Sequence, residues 1–312
     1  MLENRKFKLI IDSTCDLPLE IIKTLDVKVL KFPYIIEGQE YEDDLWESTK
    51  PEEFYARMLK GSFPSTTAYP IAKFLEHFTE AAQEGKPTVY LSFPAALSGS
   101  YNMALMAQEQ VKEQYPDFEL HIVDSCLPSI TNGQLVLQAA RMRDQGMSAQ
   151  ELVAWADESK NFIHGYFTLD NMDALAVGGR IPSTAAQLGS KLDIKPLLSF
   201  DLSGALNLSG MTRGRKRALK NLADKFKEHY NGDMSIPVFI GSAFADKDVA
   251  QLIDMIKKDK KYENLPIVHC SVGPVIGSHV GPGMIAISFW GTDRRESSSV
   301  VDRIAERVRK HS

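Results

Sequence analysis

The sequence predicts an α/β protein of two domains. The first, residues 1–160, is built on a mostly parallel sheet with helices; the second, residues 161–312, is a mixed α/β domain with antiparallel strands. Three observations carry this reading. Strand-like runs alternate with helix-length segments through the first half, which implies right-handed crossovers and parallel pairing. The second half holds a hairpin signal and strands flanking helices. The length of 312 residues corresponds to two units at roughly 100–200 residues each.

Residues 7–12 (FKLIID) read as a buried strand, followed by a helix near Leu17 with Asp16 as its cap. Residues 27–36 are strand-like and end at a Glu37-Gly38 turn. A helix follows from Pro51, where Thr49 and Glu52 have capping-box spacing and proline suits the first helical position. Another starts near Pro70. Residues 88–93 form a strand before a helix near Ser98, and residues 119–124 a strand before two helices that end by Asn161. In the second half, residues 162–169 are strand-like. Leu197–Phe200, a turn at Asp201–Gly204 and Leu206–Met211 form a hairpin. A basic helix runs from Arg215 to His229, and strands near 236–241, 266–271 and 284–290 surround a helix near 246–258.

The composition, 44% hydrophobic and 25% charged, excludes a disordered tail, a collagen-like fibre and a long coiled coil. No run approaches the roughly 18 apolar residues of a membrane span. The start leads straight into a strand with no signal-peptide pattern, so a soluble, cytoplasmic protein without membrane insertion is expected. Cys15, Cys126 and Cys270 are odd in number and far apart, which argues against a disulfide framework and a zinc site. Net charge is −5. Residues 1–160 carry 15 Lys and Arg against 25 Asp and Glu, and residues 161–312 carry 21 against 16. Much of the positive charge gathers at Arg213, Arg215, Lys216, Arg217 and Lys220, which by itself reads equally well as a solvated helix face.

No P-loop, GxGxxG, zinc-helix or GxSxG pattern is present. Instead, small hydroxyl and glycine residues follow predicted strands, where open α/β sheets bind ligands. These are Asp12–Asp16, Pro64–Pro70 and Leu97–Ser100. The last two lead into helices, whose unpaired N–H groups suit an anion; taken singly, Thr66 and Ser98 also read as simple caps. The sharpest signal is residues 272–283, where four glycines and two prolines surround His279. That density predicts a tight loop between two strands, its backbone in close approach to another group.

The segments Asp12–Pro18 (DSTCDLP), Leu97–Tyr101 (LSGSY), Gly178-Gly179-Arg180-Ile181, Ile194-Lys195-Pro196, Arg213–Lys216 and above all Gly273–Gly283 resemble, in order and over nearly the whole chain, the DegV family. The resemblance implies that one long-chain fatty acid binds between two α/β domains, and that the protein is the non-enzymatic carrier subunit of an ATP-dependent fatty acid kinase that forms an acyl phosphate. It places the carboxylate against Thr66, Ser98, Gly99 and His279, and the kinase-docking surface at Arg180, Arg213 and Arg215. No cofactor, metal or nucleic acid is implied. Two departures mark the head-group region: the family's P-x-T-S-Q-P reads Pro64–Tyr69 without the glutamine, and two serines before x-L-S-G are replaced by Pro94-Ala95. The runner-up reading is a stand-alone hydrolase acting on an acyl substrate through Ser98, His279 and Asp12. A nucleic-acid-binding regulator using Arg213–Lys220 is a third, set against an acidic first half.

Overall fold

In the computed structural model, residues 5–182 and 193–297 are described. The four strands of the first half that alternate with helices, β1 (Lys8–Asp12), β2 (Lys28–Leu30), β6 (Thr88–Ser92) and β7 (Leu120–Asp124), form one parallel sheet in the order β2-β1-β6-β7. β6, TVYLS, is buried at every residue, as a central parallel strand covered on both faces must be. Helix α3 (Ile71–Glu84) buries Phe74, Phe78, Ala81 and Ala82, one stripe at helical spacing, and stops at Gly85 with φ +70°.

The apolar run at 27–36 does not make one strand. It breaks at Lys31-Phe32 into β2 and β3 (Pro33–Ile36), which belongs to a separate antiparallel sheet ordered β4-β3-β5. β4 (Gln39–Glu42) pairs through a two-residue turn in which Glu37 and Gly38 both have positive φ, the geometry that matches strand twist. β5 is only Ser65–Thr66. Two expected caps are also absent. Lys50 stands at the N-cap of α2 (Pro51–Leu59) without a side-chain bond, although Pro51 opens the helix as predicted. Asp16 does not cap α1 (Leu19–Leu25), which begins after Pro18; its carboxylate turns inward instead. α4 spans Ser100–Gln114, two residues later than expected.

The second sheet has six strands, β10-β9-β8-β13-β11-β12. β8 is Ile163–Thr168, β9 Ile194–Phe200, β10 Leu206–Arg213, β11 Val238–Ser242, β12 Ile267–Ser271 and β13 Ile285–Trp290. β9 and β10 make the predicted hairpin, and only β11 and β12 run parallel. One face is covered by α8 (Arg215–His229) and α9 (Asp246–Lys257), with Ile285, Ile287 and Phe289 of β13 in that core. Alternation along the strand puts Ala286 on the opposite face.

That opposite face is covered by α5 (Ile130–Asp144), a helix of the first half. Twelve of its residues are buried, and Gln134 Nε2 donates to the carbonyls of Pro237 at 2.8 Å and Ser288 at 3.2 Å. α6 (Ala149–Ser159) follows, opened by a capping box between Ser148 and Glu151, and residue 160 lies between it and β8. The exchange is mutual. Residues 272–283, expected as a loop, contain α10 (Pro274–Val280), which packs on β3, β5 and α2 of the first half. Proline at its first position and Gly281 beyond its end fit the helix rules; the glycine count obscured them.

Candidate functional site

A cavity partly open to solvent lies at the carboxyl ends of the parallel strands; its space free of protein atoms, counted together with the solvent at its mouth, is about 1050 Å³. Thr14 follows β1, Phe32 follows β2, Phe93 follows β6 and Pro128 follows β7, and all four line it. This is where open α/β sheets bind ligands. The far wall is the six-stranded sheet, through Gly165, Phe167, Phe200 and Ala286, while α5 contributes Ile130 and Thr131 and α10 contributes Val275, Ile276 and His279. Most of the lining is aliphatic or aromatic. Gly165 lies where a Cβ would strike Phe200 at 2.6 Å and Thr131 at 2.4 Å. Its lack of a side chain lets the Phe200 ring fold over β8.

Polar groups are few and converge. Thr66 Oγ1 lies 2.8 Å from His279 Nε2. β5 holds the threonine by pairing Thr66 with Tyr34, and α10 carries the histidine. Ser98 and Gly99 line the cavity just before α4. The Ser98 hydroxyl accepts from Ser100 N–H at 3.2 Å and shares a hydrogen bond with the Ser100 hydroxyl at 2.9 Å. Thr67 and Arg180 also line this side, and the hydroxyl residues Thr14, Ser129 and Thr131 line the cavity elsewhere. Thus Thr66, Ser98, Gly99, His279 and Arg180, dispersed over more than 200 residues, border one cavity. Burial, then the nearby Arg180 guanidinium, push His279 down to about 4. The imidazole is therefore neutral at pH 7 and its Nε2 side faces Thr66. A carboxylate placed here would meet hydroxyls, helix-start amides, an imidazole and a guanidinium, the donors that offset its loss of water.

The Gly178-Gly179-Arg180 motif divides into three roles. Gly178 presses against His279. Gly179 has φ +68° and open space around it, so its need is conformational. Arg180 donates through Nε to Leu97 O at 3.2 Å and through Nη1 to Gly178 O at 2.6 Å, tying the cavity rim to the loop before α4. Of the other two arginines, Arg213 ends β10 and is exposed, beside a basic groove shared with Lys216, Arg217 and Lys220. Arg215 is engaged internally: it bonds Asp248 through Nε at 2.9 Å and Nη2 at 2.7 Å, and also donates to Gly283 O.

The hydrolase constellation is not assembled. The Ser98 hydroxyl bonds Ser100 rather than His279. Asp12 is buried, accepting from Thr14 Oγ1, from Phe93 N–H at 2.8 Å and from the Tyr90 hydroxyl at 3.2 Å. His279 Nδ1 has no hydrogen-bond partner, so no carboxylate orients the ring. No group of three metal-ligating side chains occurs among the described residues, and none of the described helices is long and apolar enough to cross a membrane.

Sequence reasoning missed the apolar wall. Phe32, Phe93, Phe167 and Phe200 line the cavity, yet in sequence they are indistinguishable from core residues. It also missed a buried acidic cluster. Asp16 accepts from the Ser129 hydroxyl and from Gly273 N–H at 2.8 Å, and Asp43 accepts from Leu45 N–H at 3.2 Å while its Oδ2 has no partner. A Cβ at Gly273 would lie 2.9 Å from both carboxylates. The two acids therefore flank the residue that opens α10.

The family model described as "Uncharacterised protein, DegV family" matches residues 6–291. A DegV domain-containing protein of Clostridium perfringens is 38% identical over 287 residues, 92% of this chain and 98% of that relative. A DegV lipid binding protein from Thermotoga maritima is similar in structure, with a TM-score of 0.77 and 26% identity over 93% of this chain and 99% of that one. A stearic acid-binding protein from Eubacterium ventriosum gives a TM-score of 0.80 at 25% identity, covering 94% of this chain and 100% of the other.

Proposed function

We propose that this chain, which belongs to the DegV family, binds one long-chain fatty acid and presents its carboxylate to a separate ATP-dependent kinase. The observation that carries the reading is the polarity of the cavity: an apolar interior between α5 and the six-stranded sheet, with Thr66, Ser98, Gly99, His279 and Arg180 gathered at its border. Each buried methylene contributes about 0.8 kcal/mol, so the tail dominates affinity and the polar groups set orientation. The fatty-acid-binding description of the solved relatives supports the ligand class.

The kinase half of the proposal rests on two features. The sequence has no P-loop, which fits a reading in which a partner carries out phosphoryl transfer. Arg213 and its exposed basic neighbours provide a surface for an acidic one. Arg215 lines the same groove while bonded to Asp248 and Gly283, so Arg213 is the freer docking residue of the two, with Arg180 at the cavity rim where carboxylate and incoming phosphate would meet. Division of the chain near residue 160 into two units with the ligand between them fits this arrangement.

Mass spectrometry of an organic extract of the purified protein tests the ligand; about one fatty acid per chain is expected, because a buried tail leaves slowly. No lipid, together with no binding on addition of fatty acid, refutes the proposal. For the partner, Arg213→Ala should reduce acyl phosphate formation at low kinase concentration, with recovery at high concentration and unchanged bound lipid. Loss of lipid in that variant removes Arg213 from the docking surface.

A further inference from the structure

We propose that Gly178 is a positioning residue that holds His279 in a single neutral tautomer, with its proton on Nε2; this deepens the fatty-acid reading. A Cβ at Gly178 would lie 2.2 Å from His279 Nδ1 and 3.0 Å from Cε1, with no other ring atom among its nearest neighbours. The approach is thus from outside the ring, along the axis on which an Nδ1 proton would project. The glycine's own hydrogen occupies the first part of that line. A lone pair on Nδ1 accommodates a C–H there, whereas an N–H would meet it head on. Nδ1 is also buried and has no hydrogen-bond partner.

The backbone does not explain the glycine. Gly178 caps α7 (Asp173–Val177) with φ −73° and ψ −7°, ordinary helical values at which alanine is the better residue. The contact under 3 Å that forbids a side chain is His279 Nδ1; Ala174 O lies farther off, at 3.2 Å. The groups that bear on the ring are the Thr66 hydroxyl, 2.8 Å from Nε2, and the Arg180 guanidinium.

The consequence is directional. With its proton on Nε2, His279 donates to Thr66 Oγ1, and the threonine hydrogen turns to the next acceptor, which in the proposed function is the fatty acid carboxylate. His279 then serves as a donor and not as a base, the reverse of what a hydrolase needs.

The first test uses the unaltered, lipid-free protein: ¹⁵N NMR should show Nδ1 unprotonated and Nε2 protonated, unchanged from pH 8 to about 5. A proton on Nδ1, or titration near the ordinary histidine pKa of about 6.5, overturns the proposal whether or not fatty acid binds. The second is a double-mutant cycle. Gly178→Ala should shift the His279 resonances and weaken fatty acid binding about tenfold or more, yet have no further effect in a His279→Ala background. An equal loss in both backgrounds, or unmoved resonances in Gly178→Ala, assigns Gly178 a merely structural part and refutes the positioning role. Should the free protein show the Nε2–H tautomer while no fatty acid binds, the tautomer stands and the functional reading falls.

Discussion

Replacing Asp43 with asparagine should remove Asp43's share of a pH effect that the buried acidic cluster imposes on stability. Burial is the main cause that pushes Asp43 up to about 7, and Asp44 and Asp12 add like charge. Burial likewise raises Asp16 well above the usual carboxylate range, against hydrogen bonds from Ser129 and Gly273. A carboxyl group with a raised folded pKa binds its proton more tightly in the native state. Its stabilisation is complete below the unfolded pKa and is lost as pH rises through about 7. A rise from 3.8 to about 7 corresponds to about 4 kcal/mol in full, of which about 2–3 kcal/mol falls between pH 5 and pH 8. Asparagine mimics the protonated acid in shape and stays neutral. It should therefore match the native protein in stability only below about pH 4, be more stable by about 1–2 kcal/mol at pH 5, and be more stable by about 4 kcal/mol at pH 8, the gap widening by about 2–3 kcal/mol over the range. His164 and His279, both held near 4 mainly by burial, act in the opposite sense below pH 6.5, but they are common to both proteins and cancel in the difference. Urea unfolding of the two proteins at half-unit steps from pH 5 to pH 8.5 measures it. A difference that stays constant across that range, or that favours the native protein increasingly as pH rises, would show that Asp43 is ionised throughout and refute the argument.

Three further outcomes follow from named contacts. Thr66→Val keeps the shape and removes the hydroxyl beside His279, so fatty acid binding measured by calorimetry should weaken by about 1.5–3 kcal/mol with little change in melting temperature. Arg215→Ala breaks the bonds to Asp248 and Gly283 and should cost about 1–2 kcal/mol of stability in denaturant unfolding, a value discounted for partial exposure, whereas Arg213→Ala should be nearly silent in the same assay. Ser148→Ala removes the capping box that opens α6 and should cost about 1 kcal/mol; an unchanged unfolding midpoint would show the helix end to be fixed by packing alone.

The sequence revealed those elements whose local signals agree. β1, β6 and β7 follow from buried apolar runs between helices, and the 194–213 hairpin from its Asp201–Gly204 turn. It failed where tertiary context overrode a local pattern. Thr49 and Glu52 have cap spacing, but Lys50 takes the N-cap position. Asp16 stands where a cap belongs, yet its carboxylate is recruited by Gly273 from 257 residues away. Gly273–Gly283 read as a loop because glycine has poor helix propensity, while packing against Tyr55 and β5 stabilises a short helix there. Thr66, Ser98, Gly99, Arg180 and His279 were legible as a set only through ordered motifs. Nothing in a single sequence tells that Arg215 faces Asp248 while Arg213 faces solvent, or which phenylalanines border a cavity.

The exchange of helices between the two halves constrains the order in which the molecule can be made. α5 needs the six-stranded sheet to cover it, and β13, the last strand among the described residues, lies in that sheet between β8 and β11. On a ribosome adding ~5–20 residues per second, the apolar surface of α5 therefore emerges well before its cover is synthesised, and no hairpin of the second half can close the gap alone. Cavity assembly is therefore a late step, completed only when β13 takes its place between β8 and β11.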